Sequence, residues 1–161
     1  MIKYTDFNEE QTRKASVFVG NNFEKFNKRW SSMSNRNSKT SWNWVAFFFA
    51  PFWFGYRKMH LFAISYIIFD AIMTTLSSIN EYNFGVYIVI QLITLAVTIA
   101  IPIYANYLYL VRANETINST KTDKELETKG GTNGGFVVLY LLVLILSNVT
   151  IELTFSTTSN C

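Results

Sequence analysis

The distribution of charged residues constrains this chain more than any other feature. No charged residue occurs in residues 82–111, a run of thirty, or in residues 130–151, a run of twenty-two. In residues 61–80 the only charged residue is Asp70. About 20 consecutive apolar residues are needed to cross a bilayer as a helix, whereas the buried helix of a soluble protein stays apolar for only about 10–14.

These runs predict an all-α integral membrane protein with about three transmembrane helices, at about 61–80, 85–110 and 135–156. The composition agrees, because half of the 161 residues are hydrophobic and only 16% are charged, against roughly 25% in ordinary soluble domains. The length is that of one domain. The single cysteine, Cys161, excludes an internal disulfide and a cysteine-rich metal site.

Residues 1–41 are basic, with eight Lys or Arg against four acids. We predict that they form a cytoplasmic amphipathic helix over 6–30, capped by Asp6, followed by a polar linker over 31–40. One helical stripe is apolar: Ala15, Val19, Phe23, Phe26 and Trp30. That stripe suits either packing on the rest of the protein or burial in the membrane interface. Nucleic-acid binding is not expected, because no motif for it is present.

The segment 42–58 is dominated by aromatic residues, which occupy nine of its first fifteen positions. Lys39 precedes it and Arg57 and Lys58 end it, so both flanks are expected on the cytoplasmic side. Pro51 interrupts a helix. We therefore predict a re-entrant or interfacial helical hairpin within a membrane domain that covers 42–161. The expected aromatic contact residues are Trp42, Trp44, Phe48, Phe52, Trp53 and Tyr56, and the expected headgroup anchors are Arg57 and Lys58.

The positive-inside rule gives one consistent topology. The loop 111–134 carries basic residues, whereas the loop around Glu81 and the chain after Ile151 have none. The N-terminus and the loop 111–134 are expected inside, and the loop around Glu81 and the C-terminus outside. Within the inner loop, 114–129 is expected to form a short surface helix ended by Gly130 in a left-handed conformation.

Asp70 is the residue most indicative of function, because a lone charge near the middle of a span is costly and such residues often mark ion paths or partner contacts. At the same depth the candidate intramembrane partners are Thr94, Thr98 and Asn148. The structural alternative is that Asp70 is protonated or hydrogen-bonded and only ties helices together.

Catalytic patterns are absent from the sequence. A zinc protease needs two histidines on one helix and a serine nucleophile needs a histidine base, but His60 is the only histidine. The glycine-rich stretch 130–135 follows no strand and precedes no Gly-Lys-Ser/Thr, which argues against a phosphate loop. We expect neither an enzyme nor a bound metal or cofactor.

The aromatic segment resembles a family of small bacterial membrane proteins described as domain of unknown function 2628. The resemblance rests on the motif WNWVAFFFAPFW (42–53), the following Tyr56-Arg57-Lys58-Met59, and Gly130-Gly131-Thr132. It departs at Ala50, where glycine is common. It implies a bacterial cytoplasmic membrane protein with a few spans and no established activity. Some relatives carry an N-terminal zinc ribbon, for which this chain lacks the cysteines.

The functional prediction is a non-enzymatic integral membrane protein that binds another membrane component, as an accessory or regulatory subunit or as an immunity-type protein. The expected partners are the lipid bilayer and a membrane protein or further copies of the chain. The alternative is a subunit of a small oligomeric channel, holin-like pore or transporter that uses Asp70.

Overall fold

The computed structural model describes residues 1–80 and 82–142, and within them helices are the only regular secondary structure. They are α1 (Glu9–Val19), α2 (Phe23–Asn35), α3 (Trp44–Tyr56), α4 (His60–Ile79), α5 (Phe84–Ser119) and α6 (Asp123–Lys129), with 3₁₀ turns at Tyr4–Asp6 and Gly20–Asn22. Residues 134–142 are also helical. The all-helical prediction is confirmed for these residues. Of the predicted span 135–156, the part after 142 lies outside them.

The N-terminal helix begins and ends differently from the prediction. Asn8, not Asp6, is its cap: the Asn8 side chain accepts a hydrogen bond from the Gln11 backbone N–H, and the Gln11 side chain accepts one from the Asn8 N–H. This reciprocal pair satisfies two N–H groups at the helix start. Gly20 has a φ of 70° and ends α1, so the predicted helix 6–30 is two helices. The second helix continues to Asn35, five residues into the predicted linker.

The core of the protein forms where α1 and α2 pack on the C-terminal half of α5. Tyr109 of α5 is fully buried, and its ring centroid lies 4.9 Å from that of Phe26, 5.6 Å from Phe18 and 5.7 Å from Trp30. Such aromatic pairs add to the free energy gained by burying apolar surface. In the predicted apolar stripe, Ala15, Val19, Phe26 and Trp30 are buried and Phe23 is partly buried. We call the compact region formed by residues 1–59 and 102–131 the head.

Helix α6 closes against α1. The Arg13 guanidinium forms two hydrogen bonds with Asp123, Nη1–Oδ2 at 2.7 Å and Nη2–Oδ1 at 3.1 Å, and also binds Glu10. These hydrogen bonds from Arg13 lower the pKa of both carboxyl groups. The Gly131 N–H donates to the carbonyl of Phe18 at 2.6 Å.

The glycine pair after α6 differs from the prediction in one detail. Gly131 has the positive φ, 66°, while Gly130 is extended. Gly130 lies so close to the Phe18 backbone that a Cβ atom there would overlap it. The pair therefore lets two backbones approach each other, and it joins the inner loop to α1.

Helices α4 and α5 are long and apolar enough to cross a membrane. They form an antiparallel pair, in which Gln91 Nε2 donates to Ser77 Oγ at 3.0 Å. Among the described residues only 6% of the most apolar 18-residue window of α4 and 11% of that of α5 is buried, whereas the core helix of a soluble protein is mostly buried. Helix α5 extends to Ser119, so the predicted loop 111–134 begins with nine helical residues.

Helix α3 contains the predicted break. Phe49 has φ −136° and ψ 42°, outside the helical region, two residues before Pro51. The Asn43 N–H donates to the carbonyl of Pro102 in α5 at 3.0 Å, and the Asn43 side chain caps the helix by accepting from the Ala46 N–H. Near its other end, the Trp53 ring lies 6.1 Å from Tyr109. These two contacts of α3 therefore lie within a short stretch of α5, from Pro102 to Tyr109.

Gly55 gives a test of how α3 meets the helical residues 134–142. A Cβ atom at Gly55 would overlap the Phe136 ring, so we expect Gly55→Ala to destabilise the protein by about 1–3 kcal/mol through overpacking. Thermal and denaturant unfolding of the purified chain measure this. The matched control is Gly134→Ala, because a Cβ at Gly134 meets nothing within 4 Å. Equal stability of the two variants would contradict the close contact.

Candidate functional site

A polar cleft of ≈ 330 Å³ opens between α4 and α5. Asp70 and Thr94, predicted as partners from depth alone, both line it, but Thr98, half-buried one turn further along α5, does not. The rest of the lining is mostly hydroxyl and amide groups: Met73, Thr74, Ser77, Ser78, Tyr87 and Gln91. The third predicted partner, Asn148, lies outside the described residues.

Asp70 is the only Asp, Glu, Lys, Arg or His in the lining, and it is exposed. Within residues 1–80 and 82–142 its carboxyl group makes no hydrogen bond or ion pair, whereas Thr94 donates back to the Ile90 carbonyl at 3.0 Å and Ser78 to the Thr74 carbonyl at 3.1 Å. Hydroxyls that bond to their own helix leave their lone pairs available. The cleft is therefore rich in acceptors and suits a hydrogen-bond donor or a cation.

The aromatic side chains of α3 divide into an exposed and a buried group. Trp44 and Phe48 are 62% and 66% exposed, their rings stack at 6.2 Å, and Trp42 and Tyr56 are also open to the surroundings. Phe52 instead packs against Tyr140 at 4.7 Å. Trp53 is 6% exposed, so it belongs to the core rather than to the predicted contact surface.

A family profile matches residues 8–114, which is more than half of the chain and covers α1 to α4 and most of α5. The chain belongs to the DUF2628 family. The family is described as a protein of unknown function. No curated protein and no solved structure matches the chain. The match ends before Gly130-Gly131-Thr132, so that part of the expected resemblance lies beyond the DUF2628 region.

Arg57, within the DUF2628 region, is buried rather than placed as a headgroup anchor. It is 5% exposed, and its guanidinium carbon lies 4.6 Å from the Phe26 ring and 5.2 Å from the Tyr109 ring. A cation over aromatic faces is stabilised by the negative charge of the ring surface. Two of its nitrogens, Nε and Nη1, have no hydrogen-bond partner among the described residues. Arg57 therefore ties α3 to the head core.

Lys58 ends α3 and is half-buried. Its φ is 57°, a left-handed conformation usually given to glycine, and the Lys58 and Met59 N–H groups donate to the carbonyls of Gly55 and Phe54. This is the Schellman pattern that closes a helix. The Lys58 ammonium also donates to the Thr128 carbonyl at 2.8 Å. Lys58 thus has a structural contact with the end of α6, in addition to the predicted anchoring role.

Sequence reasoning missed a buried polar junction in the DUF2628 region. Asn106 of α5 is fully buried, and its Oδ1 accepts from Asn43 Nδ2 at 3.0 Å and from Arg29 Nη1 at 3.3 Å. Its Nδ2 donates to Ser41, and its backbone carbonyl accepts from the Trp30 indole at 2.9 Å. The available signal was an amide side chain deep inside an uncharged, mostly apolar run, because such a group needs partners when buried.

This junction holds the start of α3 and the end of α2 on α5, so its loss should be costly. We expect Asn106→Leu to destabilise the protein by about 2–3 kcal/mol, because it leaves the buried Asn43 amide without its acceptor. Denaturant unfolding measures the change. Asn114→Ala is the control, since the Asn114 side chain accepts only an exposed bond from Asn118. If the two variants lose similar stability, the junction is not essential.

Proposed function

We propose that this DUF2628 protein is an integral membrane protein that binds another membrane component and catalyses no reaction. The observation that carries the proposal is a polar cleft with a carboxylate on two otherwise apolar, exposed helices. The expected role is that of an accessory or regulatory subunit, or of an immunity-type protein that shields its cell from a membrane-active agent.

The exposed apolar surface of α4 and α5 supports membrane insertion. The 20 residues of α4 span about 30 Å at 1.5 Å per residue, which equals the hydrocarbon thickness of a bilayer. Large apolar side chains point outward along its length, among them Leu61, Ile68, Ile72 and Ile79. In water such a surface is costly, whereas lipid tails cover it at little cost. The third span of the proposed membrane domain is 135–156.

The position of the basic residues supports a cytoplasmic head. All fourteen Lys and Arg residues lie in 1–58 and 112–129, and the contact between α1 and α6 brings these two segments together at one end of the α4–α5 pair. By the positive-inside rule that end faces the cytoplasm. We propose a bacterial cytoplasmic membrane, with the N-terminus inside, the loop around Glu81 outside and the C-terminus outside.

The orientation of α3 supports an interfacial rather than a spanning segment. Its start bonds to α5 at Pro102 and its end packs at Tyr109, seven residues or about 10 Å apart along α5. Its thirteen residues would cover about 20 Å as an unbroken helix, so α3 does not lie along α5 over its full length. The exposed Trp44 and Tyr56 of α3, and Trp42 just before it, suit the headgroup level, where indole and phenol rings are favoured.

Cysteine accessibility tests this topology. In a Cys161→Ser background, we expect Tyr82→Cys to react with a membrane-impermeant maleimide added to intact cells, because Tyr82 is 96% exposed at the proposed outer loop. Lys124→Cys, on exposed α6, should react only after the cells are permeabilised. Labelling of both positions, or of Lys124→Cys alone, in intact cells would rule out the proposed orientation.

The carboxylate in the cleft supports the proposal of a partner. An uncompensated carboxylate near the centre of a span costs about 2.5–3.5 kcal/mol on insertion scales. A donor on a partner helix offsets that cost and places the partner in register with α4 and α5. Hydrogen bonds between helices in lipid contribute about 0.6–2 kcal/mol each, so several cleft hydroxyls together supply useful affinity.

A second candidate function is supported by the row of polar side chains. From Asp70 to Ser78 they follow two turns of α4 and continue on Gln91 and Thr94 of α5. Several copies of the chain, each contributing this row, would enclose a polar path for ions. This is the channel, holin-like or transporter alternative, and it requires self-association.

Replacing the Asp70 charge tests both candidates. With the tagged chain purified from its native host in mild detergent, we expect Asp70→Asn to reduce recovery of a reproducible partner by roughly tenfold or more, because a charge-assisted hydrogen bond is lost. Thr75→Val is the control, since Thr75 lies on the surface of α4 away from the cleft with Ile68 and Ile72. Quantitative mass spectrometry of the eluate measures the recovery.

The outcomes separate the candidates. Wild-type chain that always emerges as a monomer argues against partner binding and against the oligomer. Self-assembly alone, with ion flux into liposomes that Asp70→Ala abolishes, favours the channel. Equal recovery of the partner with Asp70→Asn and with Thr75→Val would show that the cleft is not part of the contact.

A further inference from the structure

A second crevice, separate from the Asp70 cleft, opens where the turn between α3 and α4 meets α5. Its volume is ≈ 420 Å³, and its walls include Lys58 and His60 from the turn and Arg112 and Glu115 from α5. It lies at the boundary between the basic head and the apolar part of α4. No ligand for it follows from the DUF2628 match, because the family is one of unknown function.

One wall of the crevice is cationic. Arg112 is half-buried, and within residues 1–80 and 82–142 its guanidinium forms no ion pair or hydrogen bond. The Lys58 ammonium, with three donors, uses one on the Thr128 carbonyl. The first turn of α4 begins at the same place and has no side-chain cap, so its N–H groups add positive potential. Glu115 is the one acid in this wall.

A second wall of the crevice, along the first turn of α4, is apolar and open. It begins with Leu61, 76% exposed, and Phe62, 40% exposed, which start the outward-facing apolar surface of α4. A soluble anion such as inorganic phosphate gains nothing from these side chains. A molecule with an anionic head and hydrocarbon chains contacts both walls, and its chains continue along Ile64 and Ile68.

We propose that this crevice binds the phosphodiester of an anionic phospholipid of the inner leaflet. The Arg112 guanidinium and Lys58 ammonium contact the phosphate oxygens, and the acyl chains lie along Leu61 and Phe62. The guanidinium fork matches phosphate geometry with two parallel hydrogen bonds. Glu115 accepts from a headgroup hydroxyl, as in phosphatidylglycerol, which favours this headgroup over choline. The inference rests on the proposed membrane insertion of α4 and α5.

Lipid selectivity of the full chain tests the crevice. Purified protein in a neutral detergent is mixed with phosphatidylglycerol or phosphatidylcholine, and bound lipids are counted by native mass spectrometry. We expect the wild-type chain to prefer phosphatidylglycerol, and Arg112→Gln to lose about fivefold of that preference, as expected for one cation near a lipid headgroup. Arg112→Lys should retain part of it, since the charge is kept while the bidentate guanidinium fork is lost.

Lys124→Gln is the matched control, because it removes one positive charge from exposed α6, away from the crevice. Equal losses in Arg112→Gln and Lys124→Gln would overturn the site and leave only general charge attraction. Unfolding midpoints of both variants, together with Arg112→Lys, distinguish lost binding from lost folding. An Arg112→Gln variant that is folded and keeps the full preference also overturns the proposal.

Two further experiments identify the source of the phosphate and distinguish failure of the lipid site from failure of the proposed membrane function. Glycerol phosphate at millimolar concentration should not displace bound phosphatidylglycerol, and full displacement would assign the crevice to a soluble phosphate ester instead. Alkaline extraction of membranes tests insertion by itself. A chain released by alkali would overturn the membrane function and this inference together, whereas retention with no lipid preference overturns only the crevice.

Discussion

The structure depends on the packing of the N-terminal helices around Tyr109 of α5. Four rings, from Phe18, Phe26, Trp30 and Trp53, lie within 6.1 Å of the Tyr109 ring, and the Arg57 guanidinium lies over it at 5.2 Å. This contact brings α1, α2 and α3 onto one half of a single 36-residue helix. It leaves the other half of α5, together with most of α4, largely exposed among the described residues.

The two halves of α5 therefore lie in different surroundings. From Pro102 onward it is a core helix that contributes buried side chains and carbonyl acceptors to the head. Before Pro102 its apolar side chains are mostly exposed, and Tyr87, Gln91 and Thr94 line the cleft with Asp70. The proposed membrane partner, the proposed lipid site and the proposed interfacial role of α3 all follow from where this helix changes its surroundings.

Several elements could be predicted because their cause is local. Long runs with little or no charge predicted α4 and the apolar half of α5. The fixed φ and missing N–H of proline predicted the break, which lies two residues before Pro51. Helical spacing in 15–30 identified side chains that are in fact buried. Asp70 and Thr94 could be predicted to line one cleft because depth in two antiparallel helices is set by residue number.

Other features could not be predicted because they depend on contacts between distant residues. Asp6 and Asn8 are both residue types that can cap a helix. Asn8 is the cap because its side chain and backbone N–H both hydrogen-bond with Gln11. A basic residue after an aromatic run is typical of an interfacial anchor, yet Arg57 is enclosed by rings from α2 and α5. The role of Asn106 depends on Arg29, Ser41 and Asn43, which are more than sixty residues away.

The sequence by itself determined the helical class, the two helices able to cross a membrane, the break near Pro51 and the family, because these follow from composition, residue geometry and short motifs. Only the tertiary structure decided which polar and aromatic side chains are buried and which are exposed. The physical reason is that burial depends on what packs against a residue from elsewhere in the chain, and periodicity within one helix does not specify that neighbour.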